Sequence, residues 1–203
     1  MKVLVTGANG HIGSNVVRSL LAKDYQVKAF IRKGADTRGL DGLDIEYCYG
    51  DVMKVETLEE AVVGCDAVIH LAAVYKTIAK TPEEIVEPAI EGAKNIFAAA
   101  HKAGIKRVVY TSSIASIGFS YDRNKLLTGN DWNQDAHNPY YIAKTQSEKA
   151  AQELARKYDI HLVVICPAIV MGAFDYRITP SNQIVMDWIN GTGQTYIGGM
   201  NVV

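Results

Sequence analysis

The chain has 203 residues, 48% hydrophobic and 21% charged, an ordinary globular balance with enough apolar material for one substantial core. Its formal net charge is −1 with both signs dispersed, which excludes an extended basic field for nucleic acid or an acidic membrane surface. The apolar run "LVVICPAIVMGAF" contains Pro167 and is too short for a membrane span, and "MKVLVTG" is too short for a signal peptide, so a cytoplasmic protein is expected.

In chain order, "KVLVT" predicts a strand and "SNVVRSLLAK" a helix, with Gly7, Gly10 and Gly13 between strand and helix. Glycine is costly inside regular structure, so three of them at this handover point to a sharp turn or a close approach, and the unpaired N–H groups of the helix start suit a pyrophosphate. "QVKAFIR" predicts the second strand. About twenty residues beyond the glycines, where NAD sites place an acid to hold the ribose hydroxyls, the chain reads "AFIRKGAD". Ile31 cannot accept those bonds, whereas Arg32 and Lys33 suit a 2′-phosphate, which favours NADP(H) over NAD(H). Strand "DIEYCYG", helix "VETLEEAVV", strand "DAVIHLA" and helix "EEIVEPAIEGAKNIFAAAHKAG" follow, then strand "RVVYTSS", helix "YYIAKTQSEKAAQELARKY", strand "HLVVICPA" and helix "SNQIVMDWING". Apolar strands alternating with helix-period segments predict an α/β doubly wound parallel sheet, a Rossmann fold covered on both faces, in a single domain spanning 1–203.

Tyr140 and Lys144 follow Asn138 and Pro139, which are helix-start signals, and four residues place them on one face a turn apart. A phenol with pKa near ~10 exchanges protons poorly at neutral pH, and an adjacent ammonium lowers that value, making Tyr140 a general acid. Ser113, at the carboxyl end of a strand, would hold a carbonyl oxygen, with Ser112 or Thr111 as substitutes. A second YxxxK match, Tyr121 and Lys125, sits in a polar connection without helical period and reads as coincidence. Tyr75, Phe119, Tyr121, Trp132, Phe174 and Tyr176 lie in loops after strands, where they would line a ligand site. The odd cysteine count, Cys48, Cys65 and Cys166, shows no CxxC and predicts small buried hydrophobes. The histidines show no metal-ligand spacing, so no metal is expected.

Together "TGANGHIG", "GDV", "HLAA" and "YTSS…YYIAK" resemble the extended short-chain dehydrogenase/reductase family of the NAD-dependent epimerase/dehydratase superfamily, over essentially the whole chain. "VKAFIRK", "VEPAIEGAKNIF" and "VICPAIVMGAF" look most like its dihydroflavonol 4-reductase branch. The resemblance implies that Ser113 and Tyr140 polarise and protonate a substrate oxygen while Lys144 binds the nicotinamide ribose. It implies that Gly7, Asn9, Gly10, His11, Ile12 and Gly13 form the pyrophosphate turn, that Arg32, with Lys33, meets the 2′-phosphate, and that Asp51 and Val52 contact adenine. Leu71, Ala72 and Ala73 would flank the ribose, and Pro167 and Val170 would border the nicotinamide. The implied activity is reduction of a small ketone or aldehyde, with nucleotide-sugar epimerase or dehydratase on tightly bound NAD, or a non-catalytic NADP-binding sensor, as the alternatives. Relatives also imply pairing into a homodimer through long helices. Pro88, where many extended members read N-V-x-G-T, departs from the sugar-nucleotide pattern. The segment 167–203 reads as the start of a substrate-binding region, truncated inside the apolar tail "QTYIGGMNVV".

Overall fold

In the computed structural model, which describes residues 1–72, 81–122, 124–134 and 137–193, the β-branched runs form one parallel six-stranded sheet of order β3-β2-β1-β4-β5-β6. The strands are β1 (Lys2–Thr6), β2 (Gln26–Ile31), β3 (Glu46–Tyr49), β4 (Ala67–His70), β5 (Arg107–Thr111) and β6 (His161–Ile165). Between and after them run α1 (His11–Leu21), α2 (Val55–Ala61), α3 (Glu83–Lys102), α4 (Ile114–Ile117), α5 (Pro139–Lys157) and α6 (Pro180–Ile189). Register is set by apolar pairs such as Val5 with Ala29 and Ile69. Strand order reverses between β1 and β4, which opens a crevice beyond their carboxyl ends.

Side chains alternate across the pleat and so feed two cores. Leu4 and Phe30 pack with Leu58, Val62, Ile96 and Phe97 on the side of α2 and α3; Val3, Val5, Ala29 and Ile31 pack with Val17 of α1 and Leu40 on the other. Small buried residues, Gly92, Ala93 and Ala100 on α3 and Ala143, Ala151 and Ala155 on α5, let helices pack closely. Helix α3 carries Pro88 internally and continues through it at the cost of one main-chain hydrogen bond.

The expectation of a sheet covered on both faces needs correction at its far edge. Along β6, His161, Val163 and Ile165 are exposed while Leu162 packs against the core, because α5 covers one face and no described element covers the other. Helix α6 likewise buries none of its residues, leaving Val185, Met186, Trp188 and Ile189 exposed. Among the described residues no helix is long and apolar enough to cross a membrane.

Candidate functional site

The β1–α1 turn shows why glycine stands where it does. Gly7 has φ +69°, in the left-handed region, and a Cβ there would lie 2.9 Å from the Ala72 nitrogen, so the turn packs directly on the end of β4. A Cβ on Gly13 would lie 2.1 Å from the Gly7 carbonyl oxygen. Gly10 caps α1 without a side chain, so the helix presents its first N–H groups to the crevice with no capping oxygen. That cradle, narrow enough to exclude side chains and positive at its helix end, fits a pyrophosphate.

Thr6, immediately before the turn, organises the facing strand. Its hydroxyl oxygen accepts from the Leu71 and Ala72 N–H groups, each at 3.2 Å, and lies 2.9 Å from His70 Nδ1. With its lone pairs so used, the hydroxyl donates to Nδ1 and leaves the imidazole proton on Nε2. Burial, reinforced by the Lys144 charge, pushes the His70 pKa down to about 3, so the ring is neutral.

A cleft of about 720 Å³ opens over this turn. It brings together Gly7, Gly10, His11, Ile12, Gly13, Leu71, Thr111, Ser113, Tyr140 and Val170 from five separate stretches of sequence. Asn138 caps α5 through its side-chain oxygen and Pro139 occupies the first turn, which places Tyr140 at the mouth of the cleft. One turn on, the Lys144 ammonium lies 6.0 Å from the centre of the Tyr140 ring. Burial lowers the Lys144 pKa, and the nearby Cys166 thiol and Glu148 carboxylate oppose that shift. Ser113 caps the short helix α4 by accepting from the Ala115 N–H at 3.1 Å, so its hydroxyl hydrogen remains available to a ligand oxygen. Of its two substitutes, Thr111 reaches the cleft; Ser112 is buried and turns its hydroxyl to Glu148 at 2.5 Å.

Other predicted positions stand apart from the cleft. Asn9 donates to the Asp36 carbonyl at 3.0 Å and ties the turn to the loop after β2. Arg32 and Lys33 are exposed at the end of β2, and among the described residues their side chains have no ionic or hydrogen-bonded partner. The acid in that loop, Asp36, is held by Arg38 through both carboxylate oxygens, which pulls its pKa down to about 2. Asp51 accepts from the Met53 N–H, and the Val52 carbonyl accepts from the buried amide of Asn95. The Pro167 carbonyl accepts from Ile114, bracing α4. Ala73 and Tyr75 lie outside the described residues.

The expected aromatic lining contracts to Phe119 among those described. Tyr121 is 92% exposed, Trp132 lies under the Lys149 amine, and Phe174 lies under the Arg18 guanidinium. Lys125 faces Asp131 at 3.8 Å rather than Tyr121. Cys48 and Cys65 pack against the core as expected, and desolvation raises both thiol pKa values. Cys166 differs, since its sulfur sits in a polar cluster with Ser116 and Glu148.

Sequence reasoning missed Tyr141, Asn133 and Arg177, which also line the cleft, and Glu148 behind it. Glu148 was detectable, since 140, 144 and 148 share one helical stripe. Arg177 was not, because it arrives on an irregular segment. That segment reaches α1 through His11 Nε2 and Asn15, both donating to the Ala173 carbonyl at 3.1 Å.

A 3-2-1-4-5-6 parallel sheet with a glycine turn at its switch point defines a Rossmann-type fold. The model of the NAD dependent epimerase/dehydratase family matches residues 3–194, and the chain belongs to that family. It is 34% identical to cinnamoyl-CoA reductase 1 of Petunia hybrida over 96% of this chain and 62% of that protein. It is 31% identical to sterol demethylase protein B of Methylococcus capsulatus over 98% of this chain and 60% of the other. A dihydroflavonol 4-reductase of Callistephus chinensis is 32% identical over 96% of the chain and 58% of its own length. The crystal structure of gox2253 superposes with a TM-score of 0.86 at 28% identity, covering 99% of this chain and 62% of that one. The chain thus spans about 60% of the length of the relatives it matches.

Proposed function

We propose that the chain forms the cofactor-binding and reacting part of an NADPH-dependent reductase of a small ketone or aldehyde, with residues 167–203 beginning the substrate-binding region. The observation that carries this reading is the cleft itself, where Ser113 and Tyr140 face the glycine turn across one space. A bound nicotinamide supplies hydride chemistry. The residues do the rest: Ser113 donates a hydrogen bond to the substrate oxygen, Tyr140 gives that oxygen its proton, and the Lys144 ammonium favours the phenolate left behind. The N–H groups of His11 and Ile12 hold pyrophosphate, and Leu71 and Val170 wall the cleft. Preference for NADP(H) is supported by the loop after β2, where Arg32 and Lys33 are unengaged while Asp36 is committed to Arg38. The reductase names of relatives at 34% and 32% identity support the reaction class.

The test is NADPH oxidation with a panel of aldehydes and ketones. Turnover by the wild type that is abolished in Tyr140→Phe is expected; undiminished turnover in that variant rejects the assignment. Membership of an epimerase family supports a second reading, internal hydride return on retained NAD. Cofactor behaviour separates them: the reductase exchanges NADP(H) freely, whereas an epimerase carries NAD(H) through dialysis and consumes no NADPH.

A further inference from the structure

Behind Ser113 lies a buried polar cluster that the proposed chemistry does not use. Glu148, 4% exposed, accepts at one carboxylate oxygen from the hydroxyls of Ser112 and Ser116, both at 2.5 Å, and that oxygen lies 3.8 Å from the Cys166 sulfur. Its other oxygen accepts from Gln152 at 3.1 Å. The Ser116 oxygen also lies 2.7 Å from the Ser113 carbonyl oxygen, so its single hydrogen is shared between that carbonyl and the carboxylate. The carboxylate therefore grips the residues on both sides of Ser113, which belongs to the β5–α4 turn, from a position on α5 one turn beyond Lys144. Desolvating a carboxylate for a purely structural purpose is expensive, and an apolar side chain of the same volume would fill the space as well. What an apolar side chain cannot do is set the rotation of the turn about β5, which decides where the Ser113 hydroxyl points. The Glu148 charge also opposes the desolvation of Lys144.

We propose that Glu148 is a positioning residue that locks the Ser113 turn to the helix carrying Tyr140 and Lys144, holding the hydroxyl and the phenol in register across the cleft. The proposal rests on the reductase reading for its catalytic consequence but not for the clamp itself.

A double-mutant cycle tests it, with Glu148→Ala, Ser113→Ala and the double variant assayed for NADPH-dependent carbonyl reduction. Glu148→Ala should lower kcat by about tenfold or more while leaving the Kd for NADPH within about twofold, and Glu148→Gln, which keeps an acceptor oxygen for both serines, should recover most of the loss. Because Glu148 acts through Ser113, the double variant should be no slower than Ser113→Ala. Fully additive losses, or a Glu148→Ala enzyme with wild-type kcat, overturn the proposal. If Glu148→Ala does not fold, Ser116→Ala takes its place in the cycle with the same expected non-additivity. If the wild type reduces no carbonyl compound, the reductase reading fails and amide exchange decides on the clamp. Exchange over residues 112–118 about tenfold faster in the Glu148 or Ser116 variant, with α3 unchanged, sustains it; unchanged exchange there overturns it.

Discussion

Replacing Gly13 by Ala and Gly92 by Ala makes the same chemical change in two helices with opposite expected outcomes. At Gly13 the new Cβ would stand 2.1 Å from the Gly7 carbonyl oxygen, more than 1 Å inside ordinary contact, and 2.8 Å from the Ala8 backbone, also inside it. Both neighbours are main chain, so no rotamer can relieve the overlap and the turn itself must move. Overpacking of this kind costs about 3 kcal/mol at the upper end of its usual range, and the helix preference of Ala returns about 1 kcal/mol. The net loss of about 2 kcal/mol corresponds to a melting temperature lower by about 4–8 °C for a domain of this size. At Gly92 the nearest atom to the new Cβ is the Val52 methyl at 3.5 Å, an ordinary contact, so only the helix preference remains. Gly92→Ala should raise the melting temperature by about 1–4 °C. Thermal unfolding followed by circular dichroism reads both, and NADPH titration of Gly13→Ala should show affinity weakened about tenfold or more as the pyrophosphate turn shifts. A Gly13→Ala protein melting at or above the wild type would refute the argument from close approach.

His70 should make the fold acid-sensitive. Between its ordinary pKa of 6.5 and about 3, the unfolded chain binds a proton at this ring that the folded chain does not. Stability is therefore lost as pH falls through that window, with a slope of up to about 1.4 kcal/mol per pH unit from this residue. Urea unfolding at pH 7 and pH 5 should show that loss in the wild type and a flatter response in His70→Phe; equal responses would refute the assignment. Thr6→Val keeps the shape but strips the Leu71 and Ala72 N–H groups and His70 of their shared partner, and should cost about 2–3 kcal/mol in the same assay. Among the described residues the buried Thr145 hydroxyl has no hydrogen-bond partner, so Thr145→Val should be neutral or stabilising by about 1 kcal/mol. Arg32→Ala should raise the Kd for NADPH by about tenfold and leave that for NADH within about twofold, since only the former carries the phosphate that a guanidinium meets.

Much of the architecture was already determined by the chain's periodicities. Apolar runs with a period of two or none, separated by helical stripes and punctuated by glycine, admit few solutions besides a parallel α/β sheet, and the crossover rule leaves little choice of hand. The Asn138–Pro139 start of α5, the Tyr140–Lys144 stripe and the need for glycine at position 13 are local properties, set within a few residues by capping, helix pitch and backbone sterics, whereas Gly7 is also required by the approach of Ala72 from the end of β4. Tertiary structure alone decided what depends on contacts between distant segments. It turned Ser112 toward Glu148 and Ser113 toward the cleft, although the two are neighbours of the same type. It likewise drew Phe174 onto Arg18 and carried Arg177 to the cleft. It bound Asp36 to Arg38 and, among the described residues, left β6 uncovered on one face. Adjacent residues at a strand end face opposite sides, and which side is core and which is cleft is settled by what packs there from elsewhere in the chain.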